Sequence, residues 1–450
     1  MKNFSPINAR TAPQVSADPT PASSQHLCDD PIDVVYLWVD GNDSSWRAKR
    51  EAALAQLPRD TGAAMARYSN VEGRFRDNHE LRYSLRALEQ FFPEHGHVYI
   101  VTDAQAPDWL RPSDRLTLVD HRELMPEASL PTFDSGHIES WIHHIPGLSE
   151  RYFYFNDDVF LGAPLNPADW FTPEGFYLTW SDEPLVTDEA MRMDATSLEN
   201  ACRLSIEWLR AQAGAALAGE ALPPSRQQDP LYQSTFRTFA HSPRPMRRSL
   251  MRELELTAPE LFEGVRSTVF RSWDKPTIVS DFVLRWALAH GLAQMRTYRH
   301  RHVSTGDADQ QAQLQCLLAE FGSLDFFCIN DTTDDAHTQD PRLQNVLTVL
   351  QGMLPAPSGF ENEWASVTPA AGSEPSQRRW PDGRVLDAVK APAVRWRSIR
   401  RERRRSLRWG WRVLSCSRPG VWGRDEYGAV RQHTPRVAPQ PPPCNRRKRA

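Results

Sequence analysis

The sequence predicts an α/β fold with a mostly parallel β-sheet, and three apolar segments support this prediction. Residues 32–39, 98–102 and 151–155 form apolar runs of strand length, and helical patterns separate the first run from the second. Each run ends in acidic residues, which are Asp40, Asp103 and the pair Asp157 and Asp158. Because ligands bind at the carboxyl ends of strands in open α/β sheets, these acidic ends predict a binding site at one sheet edge.

The chain of 450 residues divides into an acidic body and a basic tail. Residues 371–450 contain 21 lysines and arginines against 6 acidic residues, whereas the rest of the chain contains 32 and 51. The six cysteines form no closely spaced pair, which argues against a structural zinc site and favours a reducing compartment. The polar start and the lack of a long apolar stretch predict a cytoplasmic protein without a membrane span.

Two helices are predicted between the first two strands. One covers residues 44–57, and the other lies within residues 74–93, where apolar side chains recur at helical spacing. The candidate N-caps are Ser44 or Ser45 for the first helix and Asp77 or Asn78 for the second. A last helix is predicted over residues 341–353.

The segment Asn156-Asp157-Asp158 follows a strand that is rich in aromatic side chains. Two adjacent carboxylates at the end of a buried strand are costly unless a cation is present, and a divalent metal that neutralises a phosphate group is one candidate. The alternative is a solvated turn, since Asn and Asp are common in turns. A second apolar run, residues 326–329, also ends in Asn-Asp, so we expect both strand ends to meet in one acidic pocket.

Residues 185–300 are predicted to be mostly helical and to form an insertion. Within it, His241 lies in a proline-rich stretch, although a lone histidine is usually structural. Upstream, Glu139 and His143 share a helix face, a pair that is more typical of an ordinary helix surface than of a metal site. Several cations could face a phosphate, although surface arginines are common: Arg266, Arg271, Arg299, Arg301 and His302.

These segments, taken in order, resemble the Stealth family of sugar-phosphate transferases, which includes bacterial capsule and exopolysaccharide phosphotransferases. The first family block is similar to residues 32–43 with their Trp-Val-Asp-Gly core, and the second to residues 76–158. The third resembles the region of His241 and Arg271, with His-Ser-Pro where the family pattern has a His-Met-Pro-like element. The fourth resembles residues 327–331, so the resemblance covers about residues 32–361.

The resemblance implies a Rossmann-like (GT-A-like) fold and a specific reaction. A sugar-1-phosphate, such as N-acetylhexosamine-1-phosphate, would pass from a UDP-sugar to a hydroxyl of an oligo- or polysaccharide acceptor, releasing UMP, in capsule or exopolysaccharide synthesis. The implied cofactor is a divalent metal, Mg²⁺ or Mn²⁺, held by Asp157, Asp158 and Asp331. The implied catalytic residues are His241 or Glu139 as base, Arg271 on the transferring phosphate, and Asp158. The implied substrate-binding residues are Asp40, Gly41, Asp77, Asn78, Arg82, Asp103 and Asn330.

The predicted domain organisation follows from these assignments. It comprises a disordered leader (1–30), a nucleotide-sugar-binding α/β core (31–184), a helical acceptor-binding insertion (185–300), a return to the core (301–361) and a basic tail (362–450). The tail is either disordered or bound to anionic lipid at the inner face of the membrane. Two other functions stay open: a GT-A-like glycosyltransferase that releases UDP from the same acidic site, and a non-enzymatic protein that interacts with membrane surfaces.

Overall fold

The computed structural model of the protein describes residues 30–57, 65–186, 190–216, 237–337 and 339–362. Its strands are β1 (Asp33–Leu37), β2 (Val98–Thr102), β3 (Leu116–Asp120), β4 (Arg151–Asn156), β5 (Val159–Leu161), β6 (Phe176–Leu178), β7 (Arg244–Arg247), β8 (Ala293–Met295), β9 (His300–Ser304) and β10 (Phe326–Asn330). The three predicted apolar runs are confirmed as β1, β2 and β4.

The helices of the described residues surround these strands. They are α1 (Ser44–Gln56), α2 (Glu80–Phe91), α3 (His121–Leu124), α4 (Ser135–Glu139), α5 (Ser197–Ala216), α6 (Arg248–Thr257), α7 (Pro259–Arg266), α8 (Val283–Ala289), α9 (Gln310–Glu320) and α10 (Pro341–Met353). The predicted helix at the end of the fold is confirmed as α10. None of the helices in the described part of the chain is both long and apolar enough to cross a bilayer.

The central sheet has the strand order β3-β2-β1-β4-β7. Strands β1 to β4 are mutually parallel, whereas β7 pairs antiparallel with β4 at the edge. The side chains of β1, β2 and β4 are almost all buried, because helices and loops cover both faces of a parallel sheet. This burial explains why the strands appear in the sequence as continuous apolar runs rather than as alternating patterns.

A second, three-stranded sheet brings the end of β10, with Asn330 and the adjacent Asp331, toward the acidic end of β4. Strand β10 lies between β5, with which it runs antiparallel, and β9, with which it runs parallel. Because β5 follows β4 after a two-residue turn at residues 157 and 158, the end of β10 comes close to the end of β4. A two-stranded pair of β6 and β8 completes the described sheets.

The helix caps differ from the predicted ones. The N-cap of α1 is Asp43, whose Oδ1 accepts hydrogen bonds from the backbone nitrogens of Ser45 and Trp46 at 2.9 Å each. The Ser44 and Ser45 assignments are therefore wrong, because both residues already lie within the helix. Helix α2 begins after His79, which has a left-handed backbone with φ of 68°, so neither Asp77 nor Asn78 is the cap.

The predicted helical insertion, residues 185–300, also contributes to the central sheet. Strand β7 lies within it, and its Arg244 pairs in register with Tyr154 of β4. His241, three residues before β7, is thereby brought to the carboxyl end of β4. The predicted leader and basic tail lie outside the described residues, except for Asp30 and Asn362.

Candidate active site

Four carboxylates crowd together at the carboxyl end of β4 and the start of α2. Burial, followed by the charges of Asp158 and Asp77, raises the pKa of Asp157 well above its ordinary value. Burial and the charges of Asp77 and Asp157 likewise raise the pKa of Glu80 well above its ordinary value. The pKa of Asp77 is also raised, by burial and then by Asp40. Such a cluster is costly without a cation, because each carboxylate disfavours the charge on the others.

Asp158 connects this cluster to the second sheet. Its Oδ2 accepts a hydrogen bond from Nδ2 of Asn330 at 3.1 Å and one from Sγ of Cys328 at 3.4 Å. Its Oδ1 is buried and accepts no hydrogen bond from the described residues. The nearest basic atom is Nε2 of His241, at 3.7 Å from Oδ1. A buried carboxylate oxygen without a donor is unusual, and it marks a position where a ligand atom fits.

His241 faces Asp158 as a neutral ring. Burial, reinforced by the positive charges of Arg244 and Arg271, lowers the pKa of His241 to about 4, although Asp158 opposes this shift. Its Nδ1 lies 3.4 Å from Sγ of Cys328, which leaves Nε2 directed to the unpartnered oxygen of Asp158. A neutral imidazole carries a free lone pair that can accept a proton, although the lowered pKa makes this ring a weaker base than an ordinary histidine.

Two arginines meet at Ser135, the first residue of α4. The guanidinium groups of Arg74 and Arg271 both donate to Oγ of Ser135, the first at 3.0 Å. Arg271 also lies 3.4 Å from Oδ1 of Asp134 and donates to Ser197 at 3.3 Å. Burial and the proximity of Arg271 lower the pKa of Arg74 to about 10. Two guanidinium groups that converge on one hydroxyl oxygen indicate a place where an anion can be stabilised.

Arg244 adds a third cation, and it is the most buried of the three. The residue is only 4% exposed, yet its guanidinium makes no hydrogen bond with any described residue. Burial lowers its pKa to about 10, although the charge of Glu139 opposes this shift. A guanidinium presents five donors, and those of Arg244 have no acceptor among the described residues, so an anionic ligand can accept from them.

Glu139 is buried among these arginines. Its Oε1 accepts a hydrogen bond from the hydroxyl of Tyr154 at 3.0 Å. Burial raises its pKa, despite the opposing charges of Arg271 and Arg244. The other member of its predicted pair, His143, bonds to Glu255 at 2.9 Å instead. Glu139 is therefore better suited to balancing the arginine charges than to exchanging a proton with a substrate.

The loop after β1 is held by contacts from distant segments. The side chain of Gln105 bonds to both backbone groups of Asp40, at 3.0 Å to its nitrogen and 2.9 Å to its oxygen. The nitrogen of Gly41 donates to the carbonyl oxygen of Phe75 at 2.7 Å, and a side chain at Gly41 would overlap that oxygen. These contacts hold the loop in place. Asp40 lies close enough to Asp77 for its negative charge to raise the pKa of Asp77.

Two further predicted acidic and amide residues have protein partners. Asp103 pairs with Nζ of Lys49 at 2.5 Å. The side chain of Asn78 donates to Glu80 at 2.9 Å and to Asp331 at 3.2 Å, so it links α2 to the end of β10. Asn78 therefore contributes to the wall of the site, whereas the described contact of Asp103 is with Lys49.

Both carboxylate oxygens of Asp331, predicted as a metal ligand, already have partners in the protein. It forms an ion pair with Arg76 and accepts hydrogen bonds from the hydroxyl of Thr305 at 3.0 Å and the backbone nitrogen of Thr333 at 3.0 Å. Although burial opposes it, the hydrogen bonds from Thr333 and the charge of Arg76 lower the pKa of Asp331. In this geometry Arg76, Thr305 and Thr333 engage both oxygens of Asp331, so a metal would have to displace them, and the role of Asp331 as a metal ligand stays a prediction.

Arg82, predicted to bind substrate, lies in a buried ion pair away from the carboxylate cluster. Its Nε bonds to Glu361, which also bonds to Arg86. The side chains of Arg82 and Glu361 are 6% and 1% exposed, so the pair is closed to ligands. This pairing does not favour a nucleotide-binding role for Arg82, which stays a prediction.

The sequence reasoning missed Glu80, Arg74 and Arg244. A sequence signal existed for Glu80, because it follows Asp77 by three residues and so places a second acidic side chain at the start of the predicted helix. Arg74 and Arg244 carried none, since their importance depends on burial without a carboxylate partner, and a sequence pattern does not show burial.

Comparison with known families locates two conserved regions in this chain. Residues 30–58 match Stealth protein CR1, conserved region 1, and residues 74–178 match Stealth protein CR2, conserved region 2. These regions contain the β1 loop, the start of α2 and the carboxylates after β4.

Curated relatives carry names that refer to polysaccharide synthesis. An exopolysaccharide phosphotransferase of Streptomyces coelicolor is 36% identical over 342 residues, which are 74% of this chain and 53% of that protein. The exopolysaccharide phosphotransferase CpsY of Mycobacterium tuberculosis is 30% identical over 340 residues, which are 75% of this chain and 59% of that protein. The chain thus spans little more than half the length of these relatives.

Among solved structures, the galactosyltransferase LgtC aligns over 72% of this chain and 98% of its own, with 8% identity and a TM-score of 0.33. The mouse xyloside xylosyltransferase 1 aligns over 69% of this chain and 100% of its own, with 12% identity and a TM-score of 0.30. The matched conserved regions and the curated relatives, taken together, show that this chain belongs to the Stealth protein family.

Proposed function

We propose that this protein is a transferase that moves a sugar-1-phosphate from a UDP-sugar to a hydroxyl of a second sugar and releases UMP. N-acetylhexosamine-1-phosphate is the proposed group, and the acceptor is a growing exopolysaccharide or capsule chain. The observation that carries the proposal is the unpartnered Oδ1 of Asp158. It lies 3.7 Å from a neutral His241, beside crowded carboxylates and three arginines. The names of the curated relatives support the same reaction class.

Asp157 and Asp158 are the residues that would hold a divalent metal. Both offer hard carboxylate oxygens, which Mg²⁺ and Mn²⁺ prefer, and Oδ1 of Asp158 has no hydrogen-bond donor within the described ranges. The raised pKa of Asp157 reflects a cluster that lacks a compensating charge. When bound, the metal would neutralise the diphosphate of the donor. Asp331 is left out of this set, because Arg76 and Thr333 occupy it.

Arg74, Arg244 and Arg271 are the residues that would bind the transferring phosphate. Three guanidinium groups around Glu139 provide charge-assisted donors in a buried setting, where such bonds are strong. Arg244 has no acceptor in the part of the chain that the structure describes, so it can bind phosphate oxygens without breaking a described bond. Charge that develops on the equatorial oxygens during transfer would be stabilised by these groups.

His241 is the proposed general base. The oxygen of the acceptor hydroxyl attacks the β-phosphorus of the donor, and its proton passes to Nε2 of His241. As the new phosphorus–oxygen bond forms, the bond between the β-phosphorus and the oxygen that bridges it to the α-phosphate breaks, and UMP leaves. Asp158 helps to orient the hydroxyl and stabilises the imidazolium that results. Glu139, engaged with Tyr154, keeps the arginines in position.

Product analysis tests the proposed function. The protein is incubated with Mg²⁺, an oligosaccharide acceptor and a panel of UDP-sugars that includes UDP-N-acetylhexosamines, and the released nucleotide is identified. We expect UMP and an acceptor that has gained the mass of a sugar phosphate. UDP as the sole nucleotide product would contradict this reaction and favour a glycosyltransferase. No turnover with any donor would favour a binding protein.

We further propose that the reaction takes place in the cytoplasm, with the basic tail at the inner face of the membrane. The excess of lysine and arginine over acidic residues in residues 371–450 supports contact with anionic lipid. Sedimentation of the full-length protein with vesicles tests this location. We expect binding to vesicles that contain anionic lipid, and equal binding to neutral vesicles would contradict it.

A further inference from the structure

Three side chains with metal-binding atoms come together on the side of the site that faces the second sheet. These atoms, from His241, His302 and Cys328, all lie within 4.8 Å of one another. Asp158 joins the group through its Oδ2, which is 3.4 Å from Sγ of Cys328. The group thus contains one sulfur, two ring nitrogens and one carboxylate, which differs from the all-oxygen set of Asp157 and Asp158.

The distances within this group agree with a tetrahedral site for a soft metal. With metal–sulfur bonds of about 2.3 Å and metal–nitrogen or metal–oxygen bonds of about 2.0 Å, tetrahedral ligands lie about 3.5 Å from the sulfur. The observed separations are 3.4 Å from Sγ of Cys328 to Nδ1 of His241 and 3.4 Å from the same sulfur to Oδ2 of Asp158. Three of the four ligand positions therefore already have the required spacing around the sulfur.

The backbone holds this arrangement in place. Cys328 of β10 pairs in register with His302 of β9, so their side chains project from the same face of the sheet. Cys328 also pairs with Val159 of β5, next to Asp158 in the chain. The ring of His302 is exposed, so it can rotate toward the other ligands without displacing buried side chains.

We propose that His241, His302, Cys328 and Asp158 form a binding site for a soft divalent cation such as Zn²⁺, and that its occupation inhibits the protein. Thiolate and imidazole ligands select Zn²⁺ over Mg²⁺, which prefers six oxygen ligands. When Zn²⁺ is bound through Nδ1, the neutral ring of His241 carries its proton on Nε2, so Nε2 can no longer accept the proton of the acceptor hydroxyl. Zn²⁺ on Oδ2 of Asp158 also withdraws negative charge from the carboxylate that the transfer reaction uses. Binding stands on the geometry alone, whereas the inhibitory consequence rests on the proposed function.

Cobalt spectroscopy tests the binding site without any substrate. Co²⁺ is titrated into the full-length protein, and we expect a thiolate-to-cobalt charge-transfer band that Zn²⁺ abolishes by displacement. Cys328→Ser should remove this band and weaken Zn²⁺ binding by about a hundredfold or more. His302→Gln, a change at an exposed side chain, should weaken binding to a similar degree without affecting folding.

The matched control for this test is Cys316→Ser, which removes an exposed thiol of α9 that lies outside the group. It should leave both the band and the affinity for Zn²⁺ unchanged. Binding of equal strength in the parent protein, Cys328→Ser and His302→Gln would overturn the proposed site. Circular dichroism of each variant confirms that a lost band does not come from unfolding.

Activity measurements test the second half of the proposal. With Mg²⁺ in excess, Zn²⁺ at the concentration that fills the site should abolish transfer by the parent protein, whereas His302→Gln should need about a hundredfold more Zn²⁺. Inhibition at the same Zn²⁺ concentration in both proteins would overturn the inhibitory role. If the protein proves to catalyse no transfer, the proposed function fails, and the cobalt titration still decides whether the metal site exists.

Discussion

At the scale of single residues, the site depends on an imbalance of charge that the protein does not resolve internally. Asp157, Asp77 and Glu80 have raised pKa values because each is buried near the others. Arg244, in contrast, is a nearly buried cation with no hydrogen-bond acceptor among the described residues. Each half would be stabilised by a ligand that carries the opposite charge, and a metal–diphosphate complex carries both.

Neutralising Asp157 should therefore change stability and activity in opposite directions. Asp157→Asn removes a buried like charge, so we expect the metal-free protein to become more stable by about 1 kcal/mol. Transfer activity should fall about a hundredfold or more, because a charge partner of the transition state is lost. Denaturant unfolding without metal and steady-state kinetics with Mg²⁺ provide the two measurements.

Asp331→Asn is the matched control for this prediction. It weakens the ion pair with Arg76, so the metal-free protein should become less stable rather than more stable. A loss of stability in Asp157→Asn would contradict the view that this carboxylate is destabilising without a cation.

Arg244 leads to a second prediction at this scale. Arg244→Gln should lower kcat/KM for the donor about a hundredfold, which corresponds to about 3 kcal/mol in the transition-state barrier. Its unfolding free energy should decrease less than that of Arg82→Gln, since the guanidinium of Arg244 bonds to no described residue and only its charge near Glu139 is lost. Donor-saturation kinetics and chemical denaturation check the two parts, and a large loss of stability with unchanged kcat/KM would show a structural role.

Arg82→Gln should behave in the opposite way. Arg82 is buried against Glu361 and away from the carboxylate cluster, so its loss leaves a buried carboxylate with one partner fewer. We expect lower stability, by about 3 kcal/mol, and normal kcat in the folded fraction. The two arginines thus form a pair of variants that separates binding from folding.

At the scale of elements, the site is assembled where the ends of two sheets meet. Strand β4 delivers Asp157, and the turn into β5 turns Asp158 toward the end of β10. Strand β7 closes the edge of the central sheet and brings Arg244 alongside Tyr154. Helix α2 approaches the same place with its first residue, Glu80. No single element contains the site, so its geometry depends on how these elements are held together.

The contact between α2 and Glu361 is one such connection, and it predicts a dependence of stability on pH. Although burial opposes it, hydrogen bonds and the charge of Arg86 lower the pKa of Glu361 in the folded state. A carboxyl whose folded pKa is lowered stabilises the fold above its unfolded pKa of about 4.3, and this stabilisation is lost as the pH falls through the folded value.

Glu361→Gln should remove this contribution. We expect the variant to be less stable than the parent by about 3 kcal/mol at pH 7, with a smaller difference as the pH falls below about 4. Urea unfolding of both proteins at several pH values measures this difference. A constant difference across the acid range would contradict the assignment of Glu361 as a charged partner of Arg82 and Arg86.

At the scale of the whole molecule, the described residues form a fold whose site is incomplete without ligands. Its acidic and basic halves lie next to each other, so binding of a metal and of a nucleotide should reinforce one another. The metal reduces the repulsion among the carboxylates, and the diphosphate bridges the metal and the arginines.

Ligand binding should therefore raise the thermal stability of the whole protein. Mg²⁺ and UDP together at about 100 times their Kd should add about 2.7 kcal/mol to the unfolding free energy. Each ligand alone should add much less, and a chelator should reverse the effect. Thermal unfolding with each ligand and with both is the measurement, and Asp158→Asn is the control that should not respond. A full shift with UDP alone would contradict a metal at this site.

The sequence by itself determined the strands and the acidic residues at their ends. Runs such as residues 151–155 are apolar because a parallel sheet is buried on both faces, and this requirement is local enough to be read from the order of the residues. The same holds for Asp157 and Asp158, since the position after a buried strand is set by the strand itself. Helix α10 could also be predicted locally, because its buried apolar residues recur at helical spacing.

Only the tertiary structure decided which of these groups have protein partners. Asp331 pairs with Arg76, 255 positions away, and Arg82 pairs with Glu361, 279 positions away. Local periodicity carries no information about such contacts, because they depend on how sheets and helices pack. For the same reason, the sequence could not distinguish the satisfied Asp331 from Asp158, whose Oδ1 has no hydrogen-bond donor among the described residues.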